Sequence, residues 1–461
     1  MRLSPPPSSV RPRMWRLSWV AILGVTLMVV SEYKVGTGRS QQAAIGGQAD
    51  SGTLAELLAY GVVGAFLLFQ LSRAPRWRRW PASLMAMWGF TLAMALGATW
   101  SPFPMFALAR AGQLVVVAWF ATAIAQHATA GALSRFCHAY VVVVALSVAL
   151  GVVVPGGHIQ GQEGRFHWLY VHPNIAGAFL GIAVTVVVAL LGRRSPGSLA
   201  APWPLPAYLV LLAVTVGGLL ATRSRGALTG AIVGSAVALL FSGHRGRWAD
   251  RLLIVTCVTT IGWALAESGI ISYWQRGESQ QQLSTLNSRT EVWGQAWELF
   301  LRRPLLGHGF TSARGVFLET FDLGGAHNAY VEVLVNSGAF GIVWWAALLI
   351  VALAGANRLR RDGHPDGALL LGVLGFLLVN ALTAGGLGQA ATVQNVWLFV
   401  IVGWLVAAPR LRWTRPAPPP PPPLLVTPLL AGGGPDGASG DDGAAGPAPA
   451  PLGHRPGGED A

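Results

Sequence analysis

Charge is what this chain has least of. Only 11% of its 461 residues are Asp, Glu, Lys or Arg, while 53% are apolar, and an ordinary soluble domain carries about 25% charged residues. That balance excludes a water-soluble globular protein, a coiled coil and a disordered chain. Cysteine is nearly absent too. Cys137 and Cys257 cannot build a disulfide framework or a four-cysteine metal site, and both lie in or beside apolar runs, where they read as small packing residues. The chain has no Walker phosphate loop and no Gly-x-Ser-x-Gly elbow, so ATP chemistry and a serine triad of recognisable form are excluded. The loops assigned below to the outer side contain no Asp-x-Asp or Glu-x-x-His pair to hold a divalent metal. No cofactor and no metal are expected. The formal charge of +13 would suggest nucleic acid in a soluble protein; here its distribution matters more, and no nucleic-acid partner is expected.

What is there is apolar sequence in long runs, with 58 glycines and 19 tryptophans, residue types enriched in membrane helices and at bilayer interfaces respectively. A hydrocarbon core of about 30 Å takes about 20 apolar residues to cross as a helix. Twelve windows qualify: 15–31, 53–72, 82–100, 104–126, 134–154, 173–192, 204–222, 226–242, 251–268, 329–353, 367–384 and 393–408. The fold class is therefore all-α, a polytopic integral membrane protein of about twelve spans. The first window follows Arg11, Arg13 and Arg16 and lacks a small-x-small cleavage site, so it reads as a retained helix. The organisation expected is a short cytoplasmic N-terminus (1–14), a membrane domain (15–408) containing one large outer loop (269–328), and a tail (409–461). The tail holds the unbroken run Pro418 to Pro423 and is rich in Gly, Pro, Ala and Asp, a composition that cannot bury a core.

Counting from a cytoplasmic N-terminus, every short even-numbered loop is basic, as the positive-inside rule requires. Arg73 to Arg79, Arg135, Arg193-Arg194, Arg245 to Arg251, Arg358 to Arg361 and Arg410 to Arg415 all fall inside. The informative arginines are those left outside. The large loop carries Arg276, Arg289, Arg302, Arg303 and Arg314, and the break between two spans carries Arg223 and Arg225. An arginine held at an outer boundary calls for an anionic partner.

Three clusters could carry chemistry. Ser288-Arg289-Thr290-Glu291 reads as a capping box that starts an amphipathic helix, with Val292, Trp293, Ala296, Trp297 and Phe300 at helical spacing until Pro304 stops it. Arg289 in the first turn opposes the helix dipole unless an anion sits there, where free N–H groups and the guanidinium would converge on it; otherwise it is a solvated surface arginine. Arg223-Ser224-Arg225-Gly226 could clamp phosphate oxygens bidentately, with hydroxyls from Thr222 and Thr229 and close backbone approach at Gly226; the other reading is a pair snorkelling to lipid headgroups. His327, in Ala326-His327-Asn328-Ala329-Tyr330, is a candidate acid/base because imidazole titrates near neutrality, or else a structural histidine. Asn328 suits a helix cap, Tyr330 lies within helical reach of His327, and Glu332 could orient a group in the same cavity. His167 and His172 are five residues apart with no third ligand near, a poor zinc arrangement; His172-Pro173-Asn174 reads as the entry to the sixth span. Gly217-Gly218 and Gly385-Gly386 read as helix-packing or kink sites.

Taken in order, these motifs resemble a known family. Asn-Ser-Arg-x-x-x-Trp, Pro304-Leu305-Leu306-Gly307-His308-Gly309-Phe310, His327-Asn328-x-Tyr330 and Asn336-Ser337-Gly338 are similar to the O-antigen ligase and polymerase superfamily of bacteria. His172-Pro173-Asn174 and Arg223-Ser224-Arg225-Gly226 also fit, and the resemblance runs over about residues 50–408. It implies a GT-C-type inverting, metal-independent glycosyltransferase of the inner membrane with its site facing the periplasm. The implied donor is an undecaprenyl diphosphate-linked glycan, and in ligase members the acceptor is a lipid A–core sugar hydroxyl. By position, Arg223 or Arg225 and Arg289 correspond to diphosphate-binding arginines and His327 to the catalytic histidine, with Asn328, Tyr330 and His172 as supporting residues. A polymerase or a protein O-oligosaccharyltransferase would use the same donor. A transporter of the same lipid is the alternative of another class.

Overall fold

The structure, a computed structural model, describes residues 18–33, 51–74, 77, 79–153, 164–192, 203–242, 289–321 and 323–411. Among them are thirteen α-helices and no β-strand: α1 (Trp19–Glu32), α2 (Ser51–Ser72), α3 (Ala82–Gly97), α4 (Pro104–His127), α5 (Ala132–Val153), α6 (Pro173–Gly192), α7 (Leu205–Ala221), α8 (Arg225–Leu240), α9 (Arg289–Arg302), α10 (Ser312–Phe321), α11 (Ala329–Arg361), α12 (Gly367–Ala381) and α13 (Val393–Ala407). Eleven of the twelve apolar windows fall on helices; the window 251–268 lies outside the described residues, as do Cys257, Ser288 and residues 412–461 of the tail. Seven helices are long and apolar enough to cross a membrane, and α1, α7, α8 and α12 are shorter apolar helices. The chain is a multi-pass, all-helical membrane protein.

Local chemistry explains the boundaries. Pro104 and Pro173 open α4 and α6, where a missing N–H is harmless. Ser18, Asn328 and Thr392 accept backbone N–H bonds as N-caps of α1, α11 and α13. Burial then sorts the helices. α13 is buried without a break from Val393 to Trp404, and α6 from Ala176 to Leu190. α2 instead turns Leu54, Leu58, Val62, Phe66 and Phe69 outward, as a helix facing hydrocarbon should. α13 packs against α4, α3 and α1, while α6 packs against α7, α8 and α12. α8 and α12 meet most closely: a Cβ added at Gly234 would lie 2.7 Å from Gly372 O, the small-residue approach that membrane helices use in place of a hydrophobic drive.

The described part of the large loop, residues 289–321 and 323–328, is more structured than a loop. α9 was expected; α10 was not. Val292 and Ala296 of α9, Ala313 and Phe317 of α10, Ala326 and Val335 bury one another in a second small core separate from the main one. Trp297, expected on the inner face of α9, is 54% exposed; Val292 and Ala296 carry the buried face instead.

This segment is joined to the bundle at a break in α11. Gly338 has φ 58° and ψ −159° inside the helix, so the turn around it loses its own hydrogen bonds. Residues 304–310 replace them. His308 and Gly309 donate their N–H groups to Val335 O and Asn336 O at 2.9 and 3.0 Å, and Ala339 and Phe340 donate to Pro304 O and Leu305 O at 2.8 and 3.0 Å. Asn336 Oδ1 accepts from Ala313 N and Ser312 Oγ at the start of α10. The Pro-Leu-Leu-Gly-His-Gly-Phe and Asn-Ser-Gly motifs are thus two sides of one backbone junction. Gly307 and Gly338 touch main chain to main chain, a Cβ on Gly338 lying 2.7 Å from Gly307 N. Gly338→Ala is expected to be destabilising by at least the roughly 1–3 kcal/mol of a forced φ/ψ, read as a lower thermal midpoint and less monodisperse protein after detergent extraction.

Candidate functional site

The histidine turn is built by three neighbours. Trp293 Nε1 donates to Ala326 O at 3.0 Å, tying α9 to the residue before the histidine. Arg314 Nε of α10 donates to Gly324 O at 3.3 Å. Asn328 Oδ1 accepts from Tyr330 N and Val331 N at 3.0 and 3.3 Å, so α11 starts immediately after His327. His327 itself has φ 51°, a left-handed conformation that a non-glycine residue keeps only where its surroundings hold it. It is half-buried. Burial, and then the guanidiniums of Arg289 and Arg314, push its pKa down to about 4. The imidazole is therefore neutral at ordinary pH and can accept a proton. Tyr330 turns away from this role: its hydroxyl donates to Leu378 O of α12 at 3.2 Å, and its ring meets Trp345 edge-on.

The arginine turn connects α7 to α8. Thr222 and Ser224 are buried, Arg223 is exposed and Arg225 half-buried. Arg223 has φ 50°, a second left-handed residue among the candidates. Arg165, passed over in the sequence, bonds this turn to the entry of α6: Nε donates to Thr222 O at 2.9 Å and Nη2 to Asn174 Oδ1 at 3.0 Å. His172 Nδ1 in turn accepts from Asn174 N at 3.1 Å, so His172 shapes the α6 entry, where the sequence put it. Two expectations need correction. The hydroxyls of Thr222 and Thr229 are committed to the backbone oxygens of Leu219 and Arg225 because each lies within one helical turn of its acceptor. The space above Gly226 is filled by Thr383, so this glycine serves packing rather than ligand approach.

Both turns lean on the same loop, 382–392 between α12 and α13. Gly226 packs on Thr383, while Gly385 packs on the Glu332 carboxylate, which also accepts from Gln389 Nε2. Gly385 and Gly386 accordingly make room for Glu332 and Gln394 side chains, where the sequence suggested helix packing. Arg289 and Arg314 are brought within electrostatic reach of His327; Arg223 and Arg225 belong to the turn that packs on the same loop through Gly226.

Arg314 and Glu332, both named in the sequence, are joined by charges that sequence reasoning missed. Arg110 of α4 pairs with Glu56 of α2 at 3.2 Å, and Gln113 Nε2 donates to the same oxygen at 2.9 Å. Glu32, at the end of α1, accepts from Val393 N at 3.0 Å. Burial pushes the Arg314 guanidinium below its usual range, and the Glu332 carboxylate beside it pushes back. Ionisable residues inside apolar runs were the available signal, since such groups are retained in membranes only with partners or a task. Among the described residues no cluster of three or more His, Cys, Asp or Glu side chains could hold a metal ion.

Comparison with known proteins falls on this same region. Residues 207–346 match the family model described as O-antigen ligase, a stretch that contains Arg223, Arg225, Arg289, Arg314 and His327. The chain is also 28% identical over 144 residues to the exopolysaccharide production protein ExoQ of Rhizobium meliloti (strain 1021), covering 28% of this chain and 33% of that protein. The chain thus spans about a third of the length of the curated relative it matches. Both matches support an O-antigen ligase/polymerase-like family for this membrane protein.

Proposed function

We propose that the chain is an inverting, metal-independent glycosyltransferase that moves an O-antigen or similar glycan from undecaprenyl diphosphate to a lipid A–core sugar hydroxyl, on the periplasmic side of the inner membrane. The observation that carries this reading is His327 at the head of α11 inside the matched region, with the Arg289 and Arg314 guanidiniums within electrostatic reach. A sugar on a diphosphate carries its own leaving group, which needs neither ATP nor an activated protein nucleophile. His327 takes the proton of the acceptor hydroxyl as its oxygen bonds to C1. The C1–O bond to the diphosphate breaks in the same displacement, so the anomeric centre inverts. The electron pair leaves with the diphosphate, whose growing charge Arg289 and one of Arg223 and Arg225 stabilise. Preorganised cations of this kind contribute most where charge develops in the transition state. The ExoQ match favours a second reading on the same donor, in which the acceptor is another carrier-linked repeat and the product an exopolysaccharide.

His327→Ala and Arg289→Ala are each expected to reach the membrane at wild-type abundance and to lower transfer by about two to three powers of ten. Surface glycan in a null strain complemented with each variant checks this; normal glycan from either overturns the assignment of that residue. In the same strain, uncapped core with long carrier-linked chains marks a ligase, and accumulating single repeats mark a polymerase. Transfer by purified protein is expected to persist in EDTA; a loss that Mg²⁺ restores would end the metal-independent reading.

The pH dependence follows from the histidine. Only the neutral imidazole accepts a proton, and its pKa is lowered to about 4, so the rate should be level from about pH 5 upward and fall only as pH approaches 4. Arg289→Gln removes one of the groups that disfavour the imidazolium and should move this acid limb up, part of the way toward the ordinary 6.5. A wild-type limb already at 6.5 would contradict the buried, cation-flanked histidine.

A further inference from the structure

Glu332 lies one turn into α11 and is 2% exposed. Its carboxylate is surrounded by groups from three parts of the chain. The backbone of Ala326 and His327 and the Arg314 guanidinium lie within electrostatic reach of it. Gln389 Nε2 donates from the 382–392 loop. Two glycines on separate loops leave it room: a Cβ added at Gly325 would lie 2.5 Å from Oε1, and one at Gly385 would overlap the same oxygen. The receiving loop is itself fixed, with Gly388 N donating to Asn395 Oδ1 at 2.8 Å and Thr392 Oγ1 to Gly386 O at 2.7 Å.

A carboxylate present only to neutralise Arg314 would need neither the Gln389 bond nor a cradle of glycines. Here one of those glycines, Gly325, lies two residues before His327, whose left-handed backbone requires something to hold it. Resting on the reading of His327 as the proton acceptor, we propose that Glu332 is its positioning residue. It pins the 325–327 turn to the 382–392 loop and so aims the imidazole at the acceptor hydroxyl.

The probe is diethyl pyrocarbonate, which acylates neutral imidazole. Its reaction with His327 in the full-length protein is followed by peptide mass spectrometry, beside the surface glycan made by a null strain complemented with each variant. Glu332→Gln keeps one acceptor oxygen in place, so it should shift both readouts by clearly less than Glu332→Ala. Glu332→Ala, at equal membrane abundance, should label His327 several-fold faster and lower glycan by about 100-fold, the scale of a 1 Å misplacement of a reacting group. Gln389→Ala removes only the loop contact and should shift both readouts the same way by less; it carries the test if Glu332→Ala does not reach the membrane. Wild-type labelling in the variant that carries the test overturns the proposal. So does an equal loss in the Gln and Ala variants that tracks their thermal stability, the mark of a charge needed only for folding. If His327→Ala cells still make glycan, the proton-acceptor assignment fails separately, because labelling continues to report what Glu332 does to the turn.

Discussion

A buried backbone group has no water to turn to, and that constraint organises this molecule. Breaking α11 at Gly338 frees two carbonyls and two N–H groups, and residues 304–310 fill all four. The junction gives the segment between α9 and α11 a fixed seat on the bundle. Asn336 extends it by holding the start of α10, and the small core around Val292, Phe317 and Val335 extends it to α9. Trp293 then reaches Ala326, and Arg289 is held near His327. Without the helix break these elements would have no reason to share a register.

The candidate site is assembled from strained turns. His327 and Arg223 both adopt left-handed backbone; the Arg165 guanidinium ties the arginine turn, and Glu332 is the residue proposed to tie the histidine turn. A left-handed residue projects its side chain away from the path of the chain. Two such residues, in turns that lean on the same 382–392 loop, suit a site that must be stiff before its substrate arrives.

Electrostatics sets the division of labour. Cations that would be unfavourable alone near a membrane gather around a histidine, where they add to burial in disfavouring its charged form, and the chain also holds the buried carboxylates Glu32, Glu56 and Glu332. The proposed displacement uses both halves of that arrangement, a cationic surround for the departing diphosphate and an uncharged base for the acceptor proton. One charge distribution serves both tasks because the cations that favour the leaving group also disfavour the imidazolium.

Much of the fold was legible in residues 15–408. Hydropathy is a local property with a length scale set by the bilayer, so eleven apolar windows coincide with helices, and Asn328, Pro173 and Pro304 act where short-range capping and proline sterics place them. Arginines on the side that topology disfavours, and a histidine beside a helix start, likewise drew attention by position alone. The partners did not. Glu32 meets Val393, Gly226 meets Thr383, Glu332 meets Gln389, and the 304–310 loop meets the broken turn of α11. These contacts join residues tens to hundreds of positions apart, and no periodicity encodes them. Sequence by itself determined which segments enter the membrane and which residue types stand at their ends. Only tertiary packing decided which of those ends share a loop, because that depends on helices choosing neighbours through glycine-lined contacts and on unsatisfied backbone groups finding donors elsewhere in the chain.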